Sequence, residues 1–203
     1  MILAFDTSTA ACTAALFDGS GACVARADER IGRGHAERLV PMLGELLDGR
    51  HADHIIVGVG PGSFTGIRVG LAAAHGLAIG WDADLTGMSS IALLAADARG
   101  DRDVAAAMIG GHGELFVQEF DGWTLEPRSE LRNLPPAEAA RKTEAELVIG
   151  SGAEQLIEAR GWGEARDAFA SAANALHLPE NLRTMRANPV YARAPDARAL
   201  EPA

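Results

Sequence analysis

Lysine is nearly absent from this chain. Of its 18 basic residues only Lys142 is a lysine. A Walker A loop needs a Gly-Lys-Ser/Thr step to hold phosphates. The glycine-rich string GVGPGSFTGIRVG (58–70) carries Arg68 but no lysine, so a P-loop is excluded. Positive charge is also short overall, with a formal net charge of −10. Phosphate neutralisation dominates nucleic-acid affinity, so a chain this acidic is not expected to hold RNA unaided. Cysteine is scarce: Cys12 and Cys23 flank the turn DGSG (18–21). A hairpin centred there pairs Leu16 with Cys23 and sets Cys12 opposite Ala27, out of disulfide register. Two thiols alone make no zinc site. No apolar run approaches the roughly 18 residues of a membrane helix. The start, MILAFDTST, has no basic leader region and reads as a strand rather than a signal peptide. A cytoplasmic protein with reduced thiols is the expectation.

What is present is an α/β pattern with 48% hydrophobic residues. Residues 2–5, 12–17 and 23–27 read as three strands with tight connections. Residues 35–47 carry Leu39, Val40, Leu43, Leu46 and Leu47 at helical spacing, with Pro41 expected to kink the helix. Residues 54–59 read as a buried strand. Ser63 is placed to cap a helix reaching about residue 80. Residues 89–98 read as a short helix and 100–103 as a turn at a lobe boundary. Beyond it come a hairpin of 104–109 with 115–120, a helix in 135–146 opened by proline, a strand at 147–149, a helix in 150–161 and another at 168–176. No repeat of fixed period is visible.

Two stretches could carry chemistry. In FDTST (5–9) an aspartate ends the first strand and is followed by hydroxyls. Asp6 with Thr7 and Ser8 can hold a metal-bound phosphate, and the simpler reading is a turn cap. In the glycine string, Ser63 and Thr65 open a helix whose free N–H groups suit an anion. That helix is apolar on two sides. Gly66, Gly70, Ala73 and Leu77 form one stripe; Ile67, Leu71, Ala74 and Ala78 form another. The small-residue stripe suits a closely approaching backbone, either within this chain or from a partner. The six histidines give no metal set. His51 and His54 lie in a loop without a third ligand, HExxH is absent, and an HxxxH pair from His35 is broken at Leu39. No G-x-S-x-G and no triad can be named.

Three strings together resemble the TsaB (YeaZ) family: ILAFDTSTAACTAAL (2–16), GRGHAERLVPMLGELL (32–47) and VGVGPGSFTGIRVGLAAAHGLAIG (57–80). NPVYAR (188–193) is similar to that family's closing motif. The resemblance is dense to residue 87 and scattered beyond. It implies an actin/Hsp70/sugar-kinase-like, ribonuclease H-like α/β fold of two lobes, the second reduced. Residues 1–100 would form the first lobe with the partner-binding helices and 101–194 the smaller lobe, with 195–203 a loose tail. It also implies a non-catalytic subunit that docks on the TsaD catalytic subunit of tRNA threonylcarbamoyladenosine synthesis and dimerises by the same surface when alone. A TsaE ATPase would join, and tRNA would be met only through the complex.

The interface expected on this basis comprises His35, Leu39, Leu43, Leu46, Gly66, Gly70, Ala73 and Leu77, and Gly70→Arg would block assembly without unfolding. No intrinsic cofactor or metal is implied. ATP or ADP at the interface with the partner stays open, as does a weak phosphate site at Asp6, Thr7, Ser8, Ser63 and Thr65. One departure is notable. Where the family commonly has an Asp-Ala-Arg turn, this chain has Ile109-Gly110-Gly111. An independent actin-like ATPase or phosphotransferase using Asp6 is the alternative reading. A glycoprotease-like M22 peptidase is a more distant one.

Overall fold

The computed structural model describes residues 1–100 and 102–191. The tail 195–203, the last two residues of NPVYAR and Asp101 of the boundary turn lie outside them.

Among the described residues, ten strands form two five-stranded sheets. The first contains β1 (Ile2–Asp6), β2 (Ala11–Phe17), β3 (Cys23–Arg30), β4 (His54–Gly58) and β5 (Asp84–Met88), in the order β3-β2-β1-β4-β5. The second contains β6 (Val104–Ile109), β7 (Leu115–Phe120), β8 (Arg132–Leu134), β9 (Leu147–Ile149) and β10 (Glu164–Arg166), in the order β10-β9-β6-β7-β8. Both sheets follow one plan. The first three strands of each make an antiparallel meander, and the last two add in parallel beside the first. Parallel additions need helical crossovers. These are α1 (His35–Leu47) and α2 (Phe64–Trp81) in the first half, α4 (Pro136–Lys142) and α5 (Ala153–Arg160) in the second, with α3 (Ser90–Ala95) between the halves. A short α6 (Glu180–Arg183) follows. This doubled ribonuclease H-like plan is the actin/Hsp70/sugar-kinase architecture.

The layers follow from strand alternation. On β1, Leu3 and Phe5 face α1 and α2, where they meet Leu39, Leu43, Ile67 and Leu71. Ala4 faces the other way, joining Ile91 and Leu94 of α3 with Val104, Met108 and Phe116 of the second sheet. The far side of that sheet buries Ala105, Ala107 and Val148 against Leu156 of α5. After β10 the chain crosses back to the first sheet. Ala172 N–H donates to Thr13 Oγ1 (2.7 Å), Met185 bridges Gly87, and Val190 N–H donates to Val59 O (2.8 Å).

Several expectations need correction. The hairpin register is Phe17 opposite Cys23, Leu16 opposite Ala25 and Cys12 opposite Glu29, because a bulge lies between Leu16 and Phe17. Both thiols are free, Cys12 buried and Cys23 exposed. In α1 the inward stripe is Leu39, Met42, Leu43, Leu46 and Leu47, while Val40 is 65% exposed. Residues 168–176 do not form an α-helix; a 3-10 segment runs Ala172–His177. The helix in 135–146 is confined to α4. The short strands β5, β8 and β10 have no counterpart in the sequence reading.

Candidate functional site

Ser63 caps α2 as its residue type dictates, accepting from Gly66 N–H (3.2 Å). The glycine string brings this cap against the β1–β2 turn. At Gly62 φ is +153°, and a Cβ there would lie 2.1 Å from Ser8 O. That approach lets Ser63 N–H donate to Ser8 O (2.7 Å). Thr7 Oγ1 donates to Gly66 O (2.7 Å) one step further on. The two sequence candidates are therefore one assembly.

Asp6 is sealed within it. Its side chain is fully buried, and Gly58 of β4 backs it so closely that a Cβ would stand 1.7 Å from Oδ2. Oδ1 accepts from Ser8 N–H (2.7 Å); Oδ2 accepts from Ser8 Oγ (3.2 Å) and Ser90 Oγ (2.5 Å). Ser90 in turn accepts from Gly60 N–H (3.1 Å). Burial pushes the Asp6 carboxyl above its ordinary range, only partly opposed by the Ser90 and Ser8 hydrogen bonds and by His35. Ser90 is the member the sequence did not reveal. The pair Ser89-Ser90 held the signal: Ser89 caps α3, which leaves Ser90 free to turn inward.

Above this assembly, between the sheets, a cleft of about 1460 Å³ opens. Ser8, Ser63 and Thr65 line it, whereas Asp6 and Thr7 sit beneath its floor. Its far lip is the β6–β7 turn with Ile109, Gly110 and Gly111, which holds the place in the second half that the Asp6 turn holds in the first. That turn contributes no carboxylate to the cleft. The rim carries Arg30, Arg33, Arg68 and His35 against one acid, Glu37. Among the described residues, no three metal-ligating side chains gather. No helix there is long and apolar enough to cross a membrane.

The residues expected at a partner interface are placed mostly inward. Leu39, Leu43 and Leu46 lie in the core under α1. Gly66 and Gly70 are buried against this chain's own turn; a Cβ would lie 1.9 Å from Thr7 O at Gly66 and 2.7 Å from Thr7 Oγ1 at Gly70. Gly70→Arg would therefore disrupt the fold itself, contrary to the expectation above. His35 is half-buried, its Nε2 3.3 Å from Ala11 O. Ala73 and Leu77 remain half-exposed. The open face of the α1–α2 pair is instead Ala36, Val40 and Gly44 on α1 with Ala72, Gly76 and Ile79 on α2, Ile79 being 84% exposed. On each helix these recur at helical spacing as an exposed, apolar, small-residue stripe.

Comparison with known proteins adds the lineage. The family model described as TsaD, tRNA N6-adenosine threonylcarbamoyltransferase, matches residues 28–179. The chain is 36% identical over 128 residues to the tRNA threonylcarbamoyladenosine biosynthesis protein TsaB of Escherichia coli, covering 59% of this chain and 54% of that one. It is 39% identical over 100 residues to the TsaB of Haemophilus influenzae, covering 46% and 41%. It thus spans about half the length of these curated relatives. Among solved structures, YeaZ from Pseudomonas aeruginosa superposes with a TM-score of 0.78 at 32% identity, covering 94% of this chain and 98% of that one. An uncharacterized protein with similarity to peptidase YEAZ, also from Pseudomonas aeruginosa, gives 0.81 at 31%, covering 95% and 99%. With a solved YeaZ matching 94% of this chain at 32% identity, and curated TsaB relatives at 36% and 39%, the chain belongs to the TsaB/YeaZ family.

Proposed function

We propose that the chain is an accessory subunit in tRNA threonylcarbamoyladenosine biosynthesis, binding and activating a TsaD-like catalytic subunit rather than carrying out the transfer. The observation that carries this reading is the outward face of α1 and α2. Ile79 and Val40 stand exposed on it amid Gly44, Ala72 and Gly76. Small residues between large apolar ones let another helix pair approach closely and bury the protruding side chains. The same face would close a homodimer when the catalytic subunit is absent. A TsaE-like ATPase would join the assembly, ATP or ADP would sit at the shared interface, and tRNA would be reached only through the complex, in the cytoplasm. The sealed Asp6 supports an accessory role over an ATPase. Its oxygens are engaged by Ser8 and Ser90, so it holds the turn together rather than facing a ligand.

The test is Ile79→Arg with Gly76→Arg. At low protein concentration the pair should leave the melting temperature of the isolated chain at or slightly above that of the wild type, because arginine has a higher helix propensity than glycine. It should abolish co-purification with the TsaD-like subunit and the threonylcarbamoyl signal in digested tRNA. Retention of both by a folded variant overturns the reading.

A further inference from the structure

The cleft between the sheets is not explained by the docking face alone. We propose that it is a groove for an extended, acidic segment of the same protein that docks on α1 and α2. This inference rests on the proposed docking reading and extends it to a second contact.

Four observations lead here. First, the groove shares its walls with the docking face. α1 and α2 each give their first turn to the cleft and their outer stripe to the surface, so a partner seated on the stripe borders the cleft mouth. Second, its charge opposes that of the whole chain. Arg33 and Arg68 make no ion pair among the described residues, although Arg68 stacks on Phe64 (3.6 Å to the ring centre), whereas Arg30 is stacked on Phe169 (4.1 Å) and its charge is already met by Asp167 (3.3 Å). Two unpaired guanidinium groups on the rim of a −10 chain select an acidic occupant.

Third, the interior is apolar. Leu94, Met108, Phe116 and Val190 line it, and Phe64, Tyr191 and Ile109 stand exposed at its lips. Side chains of alternating character along one strand suit such a channel. Fourth, its volume of about 1460 Å³ exceeds the roughly 300–1000 Å³ of small-molecule pockets. The carboxylate that would bring a metal-bound polyphosphate lies under the floor, engaged by serines. An acidic peptide uses the whole length of the groove, where a nucleotide would use a fraction.

The test uses the full chain and the TsaD-like subunit of the same cell. Benzoylphenylalanine replaces Ile109 on the far lip, which the docking stripe does not touch, and the complex is irradiated and mapped by mass spectrometry. Separately, affinity is measured for Arg33→Glu with Arg68→Glu at low and high salt. The expected result is a cross-link from position 109 to a partner segment rich in Asp and Glu. The charge-reversed pair should lose about tenfold in affinity at low salt and show a flatter salt dependence, with unchanged melting.

Cross-links absent or confined to this chain, with unaltered affinity of the arginine pair, overturn the groove. If Ile79→Arg then still abolishes binding, the docking reading survives that failure. Wild-type chain that binds no TsaD-like subunit overturns both. Loss of the position-109 cross-link on adding millimolar ATP, with the partner still bound, assigns the cleft to a nucleotide and also overturns the proposal.

Discussion

Replacing Gly66 by alanine separates the inward from the outward side of α2. The added Cβ would stand 1.9 Å from Thr7 O, a backbone atom that cannot swing aside. Restoring ordinary contact requires the helix and the β1–β2 turn to part by roughly 1.5 Å. Overpacking of this kind costs about 1–3 kcal/mol. The shift also breaks the buried Thr7 Oγ1–Gly66 O bond and loosens Ser63 N–H to Ser8 O, both 2.7 Å, at about 1 kcal/mol each. Higher helix propensity returns about 1 kcal/mol. The net is a destabilisation of about 2–4 kcal/mol, or roughly 5–15 °C in Tm for a chain of this size. Gly76 is the control. It lies on the same helix, is exposed and has nothing within 4 Å of the place a methyl group would take. Gly76→Ala should raise Tm by a few degrees, for about 1 kcal/mol of propensity. Thermal melts followed by circular dichroism at low protein concentration read both. If Gly66→Ala melts with the wild type, or Gly76→Ala falls well below it, the assignment of the two faces is refuted.

Other expectations follow from the buried groups. The Asp6 carboxyl is raised by burial, so the native state keeps its proton to higher pH than the unfolded chain. Its contribution to stability is then greatest in acid and is lost as pH rises from the ordinary aspartate range through the raised value. Relative to the wild type, Asp6→Asn should fare better at pH 8 than near pH 4; an equal or better relative Tm in acid would contradict this sign. Burial, with Glu29 nearby, pushes the Cys12 thiol up to about 11, whereas Cys23 is exposed. Native protein should therefore react with one equivalent of a disulfide reagent quickly and the second only after unfolding. Two fast equivalents would place Cys12 wrongly. Ser171 Oγ donates to Asp28 (3.0 and 3.1 Å), tying the returning chain to β3. Ser171→Ala should lower stability by about 1 kcal/mol in denaturant titration, and an unchanged midpoint would count against that tie.

The legibility of the fold varied with the strength of the local pattern. The bounds of α1 and of the β6–β7 hairpin follow from long, periodic apolar runs, and the sequence reading places both as the structure has them. β10 reads EAR with all three side chains exposed, and β5 reads DLTGM; neither offers an alternation to detect. The residues of 168–176 looked helical because alanine dominates them. Ala172 and Ala175 are instead pinned in the core between the halves, and only a 3-10 turn forms. The doubled strand plan left no trace of period in the sequence. Backbone topology repeats while the side chains of the two halves differ.

The buried side of α2 is hard to tell from its sequence for a related reason. A helix with a strong polar face announces which side is buried, but α2 is apolar or small nearly all round. Gly66 and Gly70 looked like an invitation to an external helix, as Gly76 and Ala72 equally did. Only the neighbour decides between them, and that neighbour is the Asp6 turn, distant in sequence. Ser8 O meets Ser63 N–H and Thr7 Oγ1 meets Gly66 O. Two features read separately as phosphate sites thus consume part of each other's hydrogen-bonding capacity. What remains for a ligand or partner is whatever the pairing leaves uncovered. On α2 that is the Ala72–Gly76–Ile79 stripe and the Arg68 rim; on α1 it is Val40 and Gly44, with the Arg33 rim just before the helix. The glycines thus serve the two roles by position along one helix. Those in its first two turns close it onto its own sheet, and those further along keep its outer face flat enough for another protein.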